Sequence, residues 1–190
     1  MMEESAAGKV PELCPQCRRH KPHFDKACSA ADFSGPVRDL ILQLKYGKAA
    51  WLVKDLTDLL EGCVVANLSS ERIHAACPVP LFHTKFRWRG FNQADLLGRE
   101  LARRVSCAYL PGILRRLRPT ATQTALDARA RRKNVAGAFE SPAVMHPLVF
   151  GRNILLIDDV MTTGSTVSEC AAALKANGAA KVFVASIARD

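Results

Sequence analysis

Apolar residues recur at spacings of three and four from Pro36 onward: Val37, Leu40, Ile41 and Leu44, then Leu52, Leu56, Leu59 and Leu60. That period lays an apolar stripe along a helix, and Gly47 divides it into two helices. Residues 64–70 read as a connector. Between residues 72 and 80 a short apolar run predicts a buried strand, and Pro78-Val79-Pro80 cannot sit mid-helix. Asn92 is placed to cap a helix over 93–104, with Leu96, Leu97 and Leu101 on one face. Residues 105–125 are rich in Pro, Thr and Arg and predict a mobile loop or a short hairpin. Residues 126–134 predict a short basic helix, and 141–153 a connector punctuated by Pro and Gly.

The last forty residues carry the clearest pattern. Residues 153–157 form a continuous apolar run, as in a parallel strand covered on both faces. A polar loop over 158–166 follows, then a helix over 166–177 with Gly178 as its C-terminal stop, then a second apolar strand over 181–187. This β-loop-α-β unit is the building block of an open α/β sheet. Residues 1–10 read as a frayed end. Residues 11–33 are short of large aliphatics and hold three cysteines, so residues 1–33 are expected to be a small N-terminal segment beside a main domain over 34–190.

At 190 residues, 48% hydrophobic and 24% charged, the chain has the composition of an ordinary folded domain, which argues against disorder, collagen and a coiled coil. No apolar run approaches the roughly 18 residues of a membrane span. The start, Met1-Met2-Glu3-Glu4-Ser5, has no secretory pattern, so a cytoplasmic protein is expected. The net charge of +9 is unevenly placed: residues 81–133 hold thirteen Lys and Arg against three acids. Such a field attracts phosphates, pyrophosphate or nucleic acid. The seven cysteines are an odd number, which disfavours a fully paired disulfide framework. Cys63, Cys77, Cys107 and Cys170, scattered among apolar neighbours, read as small core residues.

The chemistry concentrates in Asp158-Asp159-Val-Met-Thr162-Thr163-Gly164-Ser165-Thr166. Ligands of open α/β sheets bind beyond the carboxyl ends of strands, and a helix start offers N–H groups and a positive dipole end to a phosphate. Gly164 allows close backbone approach, and the hydroxyls of Thr162, Thr163, Ser165 and Thr166 add donors. Asp158 and Asp159 would repel a phosphate but suit the vicinal hydroxyls of a neighbouring polyol. Together these residues describe a site for a sugar 5-phosphate.

This layout resembles the phosphoribosyl-pyrophosphate (PRPP) signature of type I phosphoribosyltransferases. Further stretches resemble the ComF family (ComFC/GntX-like): Leu42-Gln43-Leu44-Lys45-Tyr46-Gly47, Pro78-Val79-Pro80-Leu81, Arg87-Trp88-Arg89-Gly90-Phe91-Asn92-Gln93-Ala94, Gln123-Thr124-Ala125-Leu126, and Arg129 with Arg132-Lys133-Asn134-Val135. The resemblance implies a type I phosphoribosyltransferase fold, an open, mainly parallel sheet with flanking helices, plus the small cysteine-containing segment. It implies that Asp158 and Asp159 hold the ribose hydroxyls and that Thr162, Thr163, Gly164, Ser165 and Thr166 cradle the 5-phosphate. Mg²⁺ would bridge pyrophosphate and ribose oxygens. Val79, Pro80 and Leu81 would meet the pyrophosphate, with Arg87 and Arg89 as candidates for its charge, and residues 105–125 would be a lid. The implied activity is phosphoribosyl transfer to an unknown acceptor, linked to competence and the use of external DNA. The alternative is a non-catalytic, PRPP-responsive protein of DNA uptake that binds single-stranded DNA, with Trp88 and Phe91 stacking on bases.

Cys14-Pro-Gln-Cys17 has metal-knuckle spacing, and the resemblance calls for a second Cys-x-x-Cys pair. Here that pair reads Cys28-Ser-Ala-Ala31, so a fourth zinc ligand is missing. His20 or His23 would complete a set with Cys14, Cys17 and Cys28; otherwise the cysteines are free.

Overall fold

The computed structural model describes residues 21–120 and 128–190. Five strands form one wholly parallel sheet: β1 (Lys26–Asp32), β2 (Ala75–Pro78), β3 (Ala108–Tyr109), β6 (Asn153–Met161) and β7 (Lys181–Arg189), in the order β1-β7-β6-β2-β3. A separate antiparallel pair, β4 (Arg115–Arg116) and β5 (Phe139–Glu140), lies outside it. The helices are α1 (Gly35–Tyr46), α2 (Val53–Leu68), α3 (His83–Arg89), α4 (Gln93–Arg104), α5 (Ala128–Val135), α6 (His146–Val149) and α7 (Ser165–Ala176).

The centre of the sheet follows from its sequence. Ile154, Leu155, Leu156 and Ile157 of β6 are fully buried, and successive side chains serve opposite faces. Leu155 and Ile157 join one core layer with Ile41 and Leu44 of α1, Leu56 and Leu60 of α2, and Leu97 and Leu101 of α4. Ile154 and Leu156 join the other with Val167, Cys170, Ala171 and Leu174 of α7. Helix α7 ends in a complete Schellman motif. The Gly178 N–H donates to the Lys175 carbonyl at 3.0 Å and the Ala179 N–H to the Leu174 carbonyl at 3.1 Å, with Gly178 at φ 89°.

Several elements differ from the sequence expectation. Val64 and Leu68 are buried and carry α2 through most of the expected connector. The strand expected to stop at Ile157 runs on to Met161, because pairing with β7 continues to Met161 opposite Arg189. Both aspartates therefore sit within the strand, and the loop shortens to residues 162–164. Lys26–Asp32 is an edge strand of the main sheet, paired in parallel with β7 and packed under α2. Residues 26–32 of the expected N-terminal segment thus belong to the main sheet, and their small side chains are those of a strand lying close beneath a helix. The described part of the expected loop at 105–125 is anchored: Ile113 and Leu114 are buried, and β4 pairs with β5. The rest of that loop, residues 121–125, lies outside the described residues, as do residues 1–10.

Candidate functional site

At the carboxyl ends of β2 and β6 lies a cleft of about 230 Å³. One wall is β6 and the start of α7. The Asp159 N–H donates to Asp158 Oδ1 at 2.9 Å, turning one carboxylate back on the chain. Asp159 is ion-paired with Lys45 from the last turn of α1. Burial pushes the Asp158 carboxyl well above the usual carboxylate range; the adjacent Asp159 charge adds to this and Lys45 opposes it.

The strand then turns through residues 162–164 into α7. Gly164 adopts φ 72°, a left-handed conformation that glycine reaches without steric cost. Thr163 Oγ1 and Ser165 Oγ share a 2.8 Å hydrogen bond, which fixes the hydroxyls at the helix start. Thr162, Gly164, Ser165, Thr166 and Val167 line the cleft beside both aspartates. Hydroxyls and the first turn of a twelve-residue helix thus face the same space, an arrangement suited to an anion.

The opposite wall is cationic. Lys85 and Arg89 come from α3, Gln93 from α4 and Arg116 from β4. Arg89 donates to Gln93 Oε1 at 2.6 Å and lies over the Tyr46 ring at 5.5 Å. Arg116 lies over the Phe139 ring at 5.2 Å and donates to Thr120 Oγ1. Burial, followed by the charges of Arg116, Arg89 and Lys45, holds Lys85 below its ordinary pKa. Arg89 Nε, Gln93 Nε2 and Arg116 Nε are buried without a hydrogen-bond partner among the described residues. A buried donor left unpaired costs about 1–3 kcal/mol, so an anion supplying acceptors here would recover that cost.

Asn92 holds two of the lining elements together. Its Oδ1 accepts from the Ala94 N–H at 3.1 Å, capping α4, while its Nδ2 donates to the Val79 carbonyl at 2.9 Å. This ties the start of α4 to the end of β2, whose Val79 and Leu81 also line the cleft.

The structure thus gathers Asp158, Asp159, Thr162, Gly164, Ser165, Thr166, Val79, Leu81 and Arg89 around one space. Pro80 lies between two lining residues without lining the cleft itself. Thr163 lines a smaller neighbouring cavity of about 160 Å³ with His23 and Arg132. Arg87 is exposed and outside the cleft, because two positions along α3 is more than half a turn from Arg89. Sequence reasoning missed Lys85, Gln93 and Arg116 as site residues. Lys45 and Tyr46 carried a signal only as part of the family-like stretch 42–47.

Of the expected zinc set, Cys28 and His23 are among the described residues. Cys28 points into the core from β1, where its Sγ donates to the Val184 carbonyl at 3.6 Å, and burial together with neighbouring Cys63 pushes its thiol up to about 12. His23 is exposed and its backbone N–H donates to Ser168 Oγ at 3.1 Å. Cys14, Cys17 and His20 lie outside the described residues.

Residues 96–190 match the family model described as "Phosphoribosyl transferase domain", and this half of the chain holds the aspartates and the hydroxyl loop. Over 182 residues the chain is 34% identical to Competence protein F of Haemophilus influenzae, covering 93% of this chain and 78% of that protein. It is 36% identical over 182 residues to DNA utilization protein YhgH of Escherichia coli K12, covering 93% and 77%. A match to the protein of the same name in Salmonella typhi, 36% identical over 189 residues, covers 96% and 80%. No helix among the described residues is long and apolar enough to cross a membrane. An open parallel sheet carrying this cleft, a phosphoribosyltransferase model over half the chain, and identity spread along nearly all of it to competence and DNA-utilisation proteins together place the chain in the ComF family of the type I phosphoribosyltransferase superfamily.

Proposed function

We propose that the cleft binds PRPP and transfers its phosphoribosyl group to an acceptor with release of pyrophosphate. The observation that carries this reading is the division of the cleft: hydroxyls at a helix start on one wall, three buried partnerless donors on the other, and a carboxylate pair beside the first. A ligand with an anion at each end and vicinal hydroxyls between them fits this arrangement.

In this reading Thr162, Thr163, Gly164, Ser165 and Thr166 hold the 5-phosphate. Asp158 and Asp159 accept hydrogen bonds from the ribose hydroxyls. Arg89, Gln93, Arg116 and Lys85, with the chain at 79–81, hold the pyrophosphate. The bond from the anomeric carbon to pyrophosphate breaks, and its electron pair leaves with the pyrophosphate. The acceptor's lone pair forms the new bond and the acceptor gives up its proton to solvent. The protein contributes positioning and stabilisation of the charge gathering on the leaving group. The Asp158 and Asp159 carboxylates are hard oxygen donors that would hold Mg²⁺ together with PRPP, and the ion would neutralise charge on the pyrophosphate. The reaction is assigned to the cytoplasm and to the DNA-utilisation role that the relatives' names carry.

A second reading, a PRPP-responsive protein of DNA uptake that binds single strands without turnover, is favoured by one observation. Trp88 is 72% exposed and Tyr46 60% exposed, and they meet edge to face at 6.2 Å beside Lys85, Arg87 and Arg89. Exposed aromatics among cations suit stacked bases. Purified protein incubated with PRPP, Mg²⁺ and a panel of bases and amines separates the two. The first reading expects pyrophosphate release that requires one acceptor and is lost in Asp159→Asn. The second expects no release with any acceptor, and oligonucleotide binding that weakens steeply with salt.

A further inference from the structure

Lys45 occupies a position that the reading above leaves unexplained. It reaches the acidic wall from α1, far away in sequence, and its side chain is 18% exposed and paired with an Asp159 side chain that is 14% exposed. Asp159 is also the carboxylate expected to serve the ribose hydroxyls, so its oxygens cannot remain fully committed to Lys45 once the sugar is in place. Lys45 is at the same time close enough to the cationic wall that its charge acts on Lys85 together with Arg89 and Arg116. It therefore stands between the two walls.

The cations of the cleft differ in how firmly they are held. Arg89 is fixed by Gln93 and the Tyr46 ring. Arg116 is fixed by the Phe139 ring and Thr120. Among the described residues Lys45 has one ion-pair partner, the Asp159 carboxylate, and its flexible four-carbon stem ends in a point charge. With the cleft empty, the adjacent Asp158 and Asp159 make the acidic wall the most favourable place for that charge. With pyrophosphate present, several negative charges stand beside it.

We propose that Lys45 is an exchangeable counter-ion, which passes from Asp159 to the pyrophosphate of the incoming ligand and thereby selects a pyrophosphate-bearing sugar phosphate over the same sugar carrying its 5-phosphate alone. The exchange frees Asp159 for the ribose at the moment Lys45 joins Arg89 and Arg116. A ligand without pyrophosphate offers Lys45 no better partner, so Asp159 stays occupied and binding is weaker. This inference rests on the PRPP reading of the cleft.

The test titrates Mg²⁺-pyrophosphate and ribose 5-phosphate separately into wild type, Lys45→Met, Asp159→Asn and the double variant. Lys45→Met is expected to weaken pyrophosphate binding about 30-fold, the scale of one charge-assisted hydrogen bond, and to tighten ribose 5-phosphate binding, because Asp159 is then free for the ribose hydroxyls. Asp159→Asn releases Lys45, so it is expected to tighten pyrophosphate while weakening ribose 5-phosphate. That tightening is expected to vanish in the double variant, a coupling that a purely structural lysine would not produce. Lys45→Arg, which keeps the charge, is expected to retain most pyrophosphate affinity. Equal losses of both ligands in Lys45→Met, or a tightening that survives in the double variant, overturns the exchange and leaves the PRPP reading standing. Should Lys45→Met fail to fold, Asp159→Asn against the double variant carries the same comparison, because neither leaves a carboxylate facing a missing cation. Failure of folded wild type to bind either ligand overturns the PRPP reading and this inference together.

Discussion

Asp158 leaves the core at the end of the fully buried run of β6, and burial together with Asp159 raises its pKa. A carboxyl raised in the folded state contributes stability that is fully present below about pH 4, its ordinary range, and that is lost as the pH climbs toward the folded value. At pH 7 the empty wild-type protein therefore bears a cost that an asparagine would not. Asp158→Asn keeps an acceptor for the Asp159 N–H and is expected to raise the melting temperature at pH 7, at roughly 2–4 °C per kcal/mol, with the gain vanishing near pH 4. The same variant is expected to lose ribose 5-phosphate binding. Calorimetric melts at the two pH values, with and without ligand, check both parts; an unchanged or lower melting temperature at pH 7 would contradict the account. At this scale the sequence was legible where the chemistry is contiguous. Asp158, Asp159 and the hydroxyls around Gly164 share one stretch of nine residues. Lys85 and Arg116 were not legible as site residues, because they reach the cleft from elements whose packing no local pattern encodes. Arg87 and Arg89 look equivalent in sequence, and only the helical turn between them separates an exposed residue from a lining one.

Helices with an apolar stripe and a clear stop were legible. Helix α7 is bounded by Gly164 and Gly178, and α4 follows directly on Asn92, whose side chain caps it. Helix α3 was not, because none of its residues is buried and it carries no core-facing period. Strand β1 was misread because Lys26–Asp32 has small side chains in place of large aliphatics. Asn92 has a second role beyond capping, holding the Val79 carbonyl at the end of β2. Asn92→Ala is expected to destabilise the protein by about 1–2 kcal/mol through the lost cap. It also leaves the Val79 carbonyl unpaired, loosening the chain at 79–81. Urea unfolding should show the loss, and pyrophosphate affinity should fall with it; unchanged affinity would mean that this tie does not position the pyrophosphate wall.

Over the whole molecule, the basic stretch at 81–133 divides into separate tasks in the described residues. Lys85, Arg89 and Arg116 face the cleft. Arg104, only 11% exposed at its side chain, binds Asp58, Glu61 and Glu100 and joins α4 to α2. Arg115 pairs with Glu140 across the β4–β5 pair. The charge excess that sequence alone read as one attractive field is therefore partly a set of internal ties, and its cleft-lining cations stand on one wall. The fold class was legible because the β6-α7-β7 unit states it in forty residues, whereas the joining of the two walls depends on tertiary packing. The most direct test of that joining is calorimetric titration of PRPP with Mg²⁺ into the purified protein, beside Asp158→Asn/Asp159→Asn shown to be folded by circular dichroism. The account predicts saturable binding at one site per chain, lost in the variant. Undiminished binding in the variant, or none in folded wild type, would contradict it.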